Sequence, residues 1–263
     1  MLDIYYGLNL WAGAALVIGV STLISVGGHL GAHAILRRSV PKQETDLASS
    51  LMGVVAAFIG IMLAFSAVQA WSDYRQADKA VVEEASAISE LYRDLAIYGE
   101  ASRPARTAVR SYVDAVITDE WPRLAHGEAG PKAADALLQV FREVGRIQPE
   151  TARERTIYAE VFTKLNEVVH HRRARMIAAR SALPTLFWGV LLSGSLIILA
   201  YTFVYPSTRL NLLTIAGLAV SLGLIFMFIL DVDRPFAGPY ALKATELQGL
   251  GRVFDKVSAA VER

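Results

Sequence analysis

The sequence predicts an all-α integral membrane protein with four transmembrane helices and a helical aqueous domain inserted between spans 2 and 3. Three observations carry that class. Residues 4–36, 51–70, 183–204 and 210–230 are runs without formal charge, each reaching the roughly 20 residues a helix needs to cross the hydrocarbon core. Of the 263 residues 54% are hydrophobic, and the charges gather in separate segments, as expected of membrane spans joined to a water-exposed part. Between Ile61 and Tyr98 there is neither Gly nor Pro, so nothing breaks the second helix where it leaves the lipid. The resulting division is 1–70 as a first transmembrane hairpin, with spans at about 8–36 and 51–70. Residues 71–182 form the helical domain, 183–230 a second hairpin, and 231–263 a tail.

A net charge of +1 argues against nucleic acid as a partner. The absence of Cys removes disulfides, thiolate metal sites and Cys nucleophiles, and it leaves the redox compartment open.

The first span carries Trp11 as an interfacial anchor near one end. It is too long for a signal-peptide core and has no basic stretch before it, so a retained span is expected. Gly27, Gly28, Gly31 and Ala32 make small-xxx-small pairs that admit a neighbouring helix. His29 and His33 stand at i,i+4 on one face. That spacing suits a metal or a proton relay, but they lie near the basic end of the span, where a His faces headgroups or hydrogen-bonds a neighbouring helix. No metal or other cofactor is expected.

A short loop over 37–47 contains Arg37, Arg38 and Pro41 and leads to the second helix, with Thr45 or Asp46 as cap. In the second span Gly53, Ala56, Ala57, Gly60, Ala64 and Ala67 form a small-residue stripe. Val55, Phe58, Met62, Phe65 and Gln69 form a bulkier one. One stripe is expected to pack and the other to face lipid or a central axis. Beyond the membrane, Tyr74, Ala77, Val81, Ile88, Leu91, Leu95 and Tyr98 repeat at heptad spacing, with Glu84 as the one polar intruder. At about 1.5 Å per residue, a helix over 51–95 is roughly 67 Å long.

Ser102 before Arg103 and Pro104 signals a new helix, with Ala105, Val109, Tyr112, Val113, Val116 and Ile117 on its apolar face and its end at Trp121-Pro122. Gly130-Pro131 opens a shorter helix that Gly145 ends. Pro149 opens a last one with no Gly or Pro until Pro184, so it is expected to run back into the membrane. Glu83-Glu84 and Asp119-Glu120 are sequence neighbours that diverge around a helix, which argues against paired-carboxylate chemistry. No nucleophile elbow, Walker loop, H-E-x-x-H or Gly-rich phosphate cradle is present, so the chain does not read as an enzyme. Arg172, Arg173, Arg175 and Arg180, with His170 and His171, form a run just before the third span. It reads as a juxtamembrane belt on anionic headgroups, or as a funnel collecting anions.

The third span has Trp188 at one end and Tyr201 and Tyr205 at the other, and a minimal turn to Arg209 leads to the fourth. Arg75, Lys79, Arg172, Arg173, Arg175, Arg180, Arg234 and Lys243 flank the spans on the side of the helical domain, against Arg37, Arg38, Lys42 and Arg209 on the other. Eight against four puts that domain in the cytoplasm. The first span taken alone argues the reverse. After the fourth span, Asp231, Asp233 and Arg234 are expected to pair and fix its end, Pro235 stops the helix, and only a short amphipathic piece over 253–261 remains.

Asp233-Arg234-Pro235-Phe236, together with Tyr74-Arg75, the run Val82-Glu83-Glu84-Ala85-Ser86-Ala87-Ile88 and Glu120-Trp121-Pro122, resembles the bacterial bestrophin-like family of unknown function. The resemblance covers about residues 51–247. It implies a distant likeness to bestrophin anion channels: four spans, cytoplasmic termini, a second helix that continues into the cytosol, and a Pro-Phe-Gly-type segment that Pro235, Phe236 and Gly238 approximate with Ala237 inserted. It further implies a pentamer whose second helices line a pore, with Phe58, Met62 and Phe65 as neck residues among Val55, Phe58, Met62, Phe65 and Gln69. The acid-rich calcium clasp of animal bestrophins is missing, only Glu246 standing near that position. The leading expectation is a homo-oligomeric channel for small anions such as chloride, multi-pass in the inner (plasma) membrane, its partners being the bilayer and copies of itself. The alternative is a membrane-anchored sensor or scaffold without catalysis. A haem carrier or enzyme, resting on His29 and His33 alone, comes third.

Overall fold

The computed structural model describes residues 5–36 and 41–261, so the expectations placed on Arg37, Arg38 and Ile4 fall outside the described residues. Among the described residues the regular structure is helical, and four helices are long and apolar enough to span a bilayer. The chain divides into two compact units, one of residues 1–72, 182–233 and 238–240, the other of 73–181, 234–237 and 241–263.

In the first unit, Asn9 accepts the Ala12 N–H at 2.9 Å and caps α1 (Leu10–Thr22). A π turn, Leu23–Gly27, connects it to α2 (Gly28–Leu36). The long helix α3 (Lys42–Tyr98) begins directly after Pro41, whose carbonyl accepts from Thr45. Thr45 and Asp46 therefore lie within the helix instead of ahead of it. The remaining spans are α8 (Thr185–Tyr201) and α9 (Arg209–Asp233).

The tightest helix–helix packing in this unit falls on glycines other than those singled out from sequence. A Cβ on Gly223 would meet the Ile18 backbone at 3.0 Å, and one on Gly194 would lie 2.1 Å from the end of Ile59. So α1 meets α9 almost backbone to backbone, and Ile59 of α3 inserts into a notch in α8. Gly28 touches Phe203, whereas Gly31 has open space beside it.

The second unit is built on the outer half of α3. Ala77, Val81, Ile88, Leu91 and Leu95 are buried as the heptad requires. Packed on them are α4 (Arg103–Ala115), a π turn Val116–Glu120, α5 (Trp121–Leu124), α6 (Pro131–Gly145), α7 (Ala152–Arg180) and α10 (Thr245–Val261). Four local expectations are corrected here. Ser102 does not cap α4; its hydroxyl donates back to the carbonyls of Leu95 and of Gly99, whose φ of +108° closes α3. Trp121-Pro122 does not end its helix, because the π turn shifts the hydrogen-bond register just where Pro122 has no N–H to give. Helix α7, capped by a Thr151–Glu154 box, stops at Arg180 rather than running into α8. Pro184 disfavours the helical state of Leu183, and the freed Leu183 N–H donates to Asp233 at 2.6 Å. The amphipathic piece expected over 253–261 starts earlier, at Thr245, and α10 buries Leu247, Leu250 and Phe254, with Phe254 stacked on Tyr92 at 4.1 Å.

Candidate functional site

Within the first unit, Leu63, Ser66 and Ala70 of α3 are buried and Ile59 packs against Gly194. The opposite arc is bare. Its centre is Val54, Ile61 and Val68, which are 56%, 55% and 67% exposed. One flank carries Phe58 and Phe65, 68% and 67% exposed, with Gln69, while Val55 and Met62 at its margin are half-buried. The other flank is Gly53, Ala57, Gly60 and Ala64, also exposed, and a Cβ on Gly53 or Gly60 would meet nothing within 4 Å. The expected division into a packing stripe and an outward stripe is therefore replaced by two flanks of a single uncovered arc. The physical reason is size: inside the unit the helix is held by Ile59 filling space against a glycine of α8, with Leu63 also buried, a job small side chains cannot do.

The second unit holds a buried set of charges. Arg175 of α7 is 0% exposed and gives Nε to Glu84 Oε2 at 2.6 Å and Nη2 to Glu84 Oε1 at 3.1 Å and to Glu120 Oε1 at 2.8 Å. Arg172 grips Glu120 with Nε at 3.1 Å and with Nη2. Tyr112 donates its hydroxyl to Glu84 at 2.8 Å, and Gly130 its N–H to Glu120 at 3.1 Å. The Arg175 guanidinium also lies over the Trp121 ring, 5.6 Å from its centre. Two carboxylates thus meet two guanidiniums, which is the pairing a buried charge needs. Burial alone would raise the Glu120 carboxyl, but Arg172 and Arg175 outweigh it and hold the group below its ordinary range. Burial and then the neighbouring Glu84 push the Tyr112 phenol well up, so it stays neutral.

These positions correct the expected basic belt. Arg172 and Arg175 turn inward to the carboxylates, whereas Arg173 and Arg180 are exposed, Arg180 giving Nε to the Gly127 carbonyl at 2.9 Å. The reason lies in helix phase: Arg175 is seven residues from Val168 and joins the buried stripe of Val161, Leu165 and Val168.

His29 and His33 hydrogen-bond within the first unit. The His29 ring nitrogens lie 3.1 Å from the Thr202 carbonyl and 3.1 Å from Ser207 Oγ, and His33 Nε2 lies 2.7 Å from the Tyr205 carbonyl. Both rings thereby clasp the turn between α8 and α9. No cluster of three or more His, Cys, Asp or Glu side chains suited to a metal occurs among the described residues.

The post-span segment is split between the units. Asp231 accepts the Tyr5 hydroxyl at 2.6 Å, a phenol where an arginine was expected, and Asp233 accepts from Leu183. In the second unit Phe236 packs edge-on against Trp121 at 5.6 Å, among Ala77, Val81, Leu124 and Ala178. Trp121 Nε1 donates to the Leu242 carbonyl at 3.3 Å, and Leu242 N–H to that of Pro235 at 2.8 Å.

A family model of the bestrophin-like domain matches residues 19–247. The chain belongs to the bestrophin-like family. Among solved structures it is similar to a bacterial bestrophin homologue from Klebsiella pneumoniae, at TM-score 0.71 and 12% identity over 93% of this chain and 98% of that one. Single-site variants of the Klebsiella homologue match at TM-score 0.70 with 13% identity over 94% and 98%, and at 0.68 with 15% over 93% and 98%. At such identity the likeness speaks for the fold. No curated protein matches.

In this bestrophin-like chain, Glu84, Glu120, Trp121 and Phe236 belong to the motifs that carried the sequence resemblance, and they meet around Arg175 and Trp121. The sequence marked Glu84 as a polar intruder in the heptad, and both Glu84 and Glu120 as members of divergent acidic pairs and of the family motifs. It did not join the two to each other or to Arg175. The signal that could have joined them was the pairing of an acid at an apolar heptad position with an arginine at one on α7, since neither is tolerated in a core without the other.

Proposed function

We propose that this bestrophin-like protein is a homo-oligomeric channel for small anions in the inner membrane, a ring of copies surrounding a pore lined by α3. The observation that carries the reading is the bare arc of α3. A protomer that leaves Phe58, Phe65, Val54, Ile61 and Val68 uncovered on one helix has a bulky face for an axis. Beside it lies a smooth flank of Gly53, Ala57, Gly60 and Ala64, against which a second α3 can approach closely. The sequence resemblance to bestrophins adds the expectation of a pentamer.

In this reading Phe58, Met62 and Phe65 form an apolar constriction that excludes water and so blocks ions by dewetting. Val55 and Gln69 line the lumen on either side of it. The second unit lies in the cytoplasm, where Arg173 and Arg180 remain as exposed positive charge and the ion-paired core keeps the outer half of α3 rigid.

The test is chloride flux through liposomes holding the purified protein. Replacing Phe58, Met62 and Phe65 together by Ala widens the constriction and raises the flux, while Gly60→Leu lowers the yield of assembled protein instead. An assembled triple variant that passes no more chloride than empty liposomes overturns the channel reading and favours a membrane-anchored scaffold.

A further inference from the structure

We infer that the groove between α1 and α9 in the first unit binds an anionic phospholipid, its tails along the groove and its phosphate on Arg209. The groove is open along its length and offers about 960 Å³, at the upper end of the roughly 300–1,000 Å³ typical of ligand sites. Its floor lacks side chains. A Cβ on Gly19 would meet nothing within 4 Å, and one on Gly27 only the end of Leu23, 4.0 Å away on the same helical stretch.

The walls are apolar, with Val26 and Leu30 on one side and Leu212 and Leu213 on the other. The π turn Leu23–Gly27 sits in the middle of the first wall, and such turns, rare in general, are frequent at functional sites. From Gly19 to Leu30 the groove extends roughly 16 Å at about 1.5 Å per residue, about half of the ~30 Å hydrocarbon core. It therefore has the length of one lipid leaflet.

Arg209 stands at the mouth of this groove as the first residue of α9, and it is exposed. No carboxylate among the described residues forms an ion pair with it. An acyl-chain slot that ends at an unneutralised guanidinium matches an amphiphile with a negative head. A guanidinium binds a phosphate through two parallel N–H donors, which a choline headgroup's own positive charge would oppose. A free phosphate would leave the slot empty, and a second copy of the chain would have to bring an acid to Arg209.

The experiment is native mass spectrometry of the purified full-length protein in detergent, with phosphatidylglycerol or phosphatidylcholine added. The wild type is expected to retain phosphatidylglycerol in preference by about fivefold, the size expected of one basic residue acting on an anionic lipid. Arg209→Gln should abolish the preference while Arg209→Lys keeps most of it. Gly27→Leu, which fills the floor, should reduce retention of both lipids. Excess inorganic phosphate should leave the adduct in place. Equal retention of the two lipids by the wild type, an Arg209→Gln protein that still prefers phosphatidylglycerol, or displacement by phosphate overturns the inference. Since Arg209 is exposed, the Arg209→Gln protein assembles normally, and its retention pattern is read whether or not Gly27→Leu folds.

Discussion

Truncating Arg175 to Ala is predicted to be the most damaging single change in the second unit. The side chain supplies Glu84 with two hydrogen bonds and Glu120 with one. After truncation Glu120 keeps Arg172 and the Gly130 N–H, whereas Glu84, itself 0% exposed, keeps only the neutral Tyr112 hydroxyl. The loss therefore concentrates on one carboxylate stranded in a core. Breaking a buried pair from one side costs about 3–5 kcal/mol, while replacing both partners by apolar residues of similar volume is often close to neutral. Thermal unfolding of the detergent-purified protein should show Arg175→Ala far below wild type. Glu84→Leu combined with Arg175→Leu should recover at least half the difference. Because such unfolding is often irreversible, the comparison is made at one scan rate. An Arg175→Ala protein as stable as wild type, or a double variant no better than the single one, would refute the view that these charges are held by each other.

Further outcomes follow from the same geometry. Glu120 is held below its ordinary value of 4.5, so its contribution to stability is complete above about that pH and is lost as pH falls through the lowered value. Glu120→Gln should accordingly flatten the acid limb of a stability–pH curve, and an unchanged limb would contradict the pairing. Phe254→Ala removes a ring that is 1% exposed and stacked on Tyr92, and it should cost about 3–5 kcal/mol. Wild-type-like melting of that variant would contradict the role of α10 in the core of the second unit. With the second unit in the cytoplasm, Glu128→Cys should escape an impermeant thiol reagent in intact cells, and labelling there would invert the topology.

The fold class and the four spans were legible because long charge-free runs and a missing helix breaker act locally, through the chain's own composition. Local signals failed where a partner far along the chain decided the outcome. The break at residues 181–184 depends on Asp233 receiving the Leu183 N–H, and Ser102 serves the helix behind it rather than the one ahead. Pro122 survives inside a helical segment because a π turn precedes it. The basic run before the third span looked uniform as a string of arginines. Only the phase of α7 against its buried stripe separates Arg175 from Arg173, and only the folded unit brings Glu84 and Glu120 together. On α3 the periodicity found both the bulky and the small residues. It could not reveal that they flank one arc, because which face a membrane helix packs inward is set by its neighbour, here by Gly194 receiving Ile59.

Conduction itself is tested most directly by recording from the purified protein in a planar bilayer under a potassium chloride gradient. A pore for small anions gives a current that reverses near the chloride equilibrium potential and grows when Phe58, Met62 and Phe65 are replaced by Ala. A bilayer that stays silent with both proteins, or a current that reverses near the potassium potential, would contradict it.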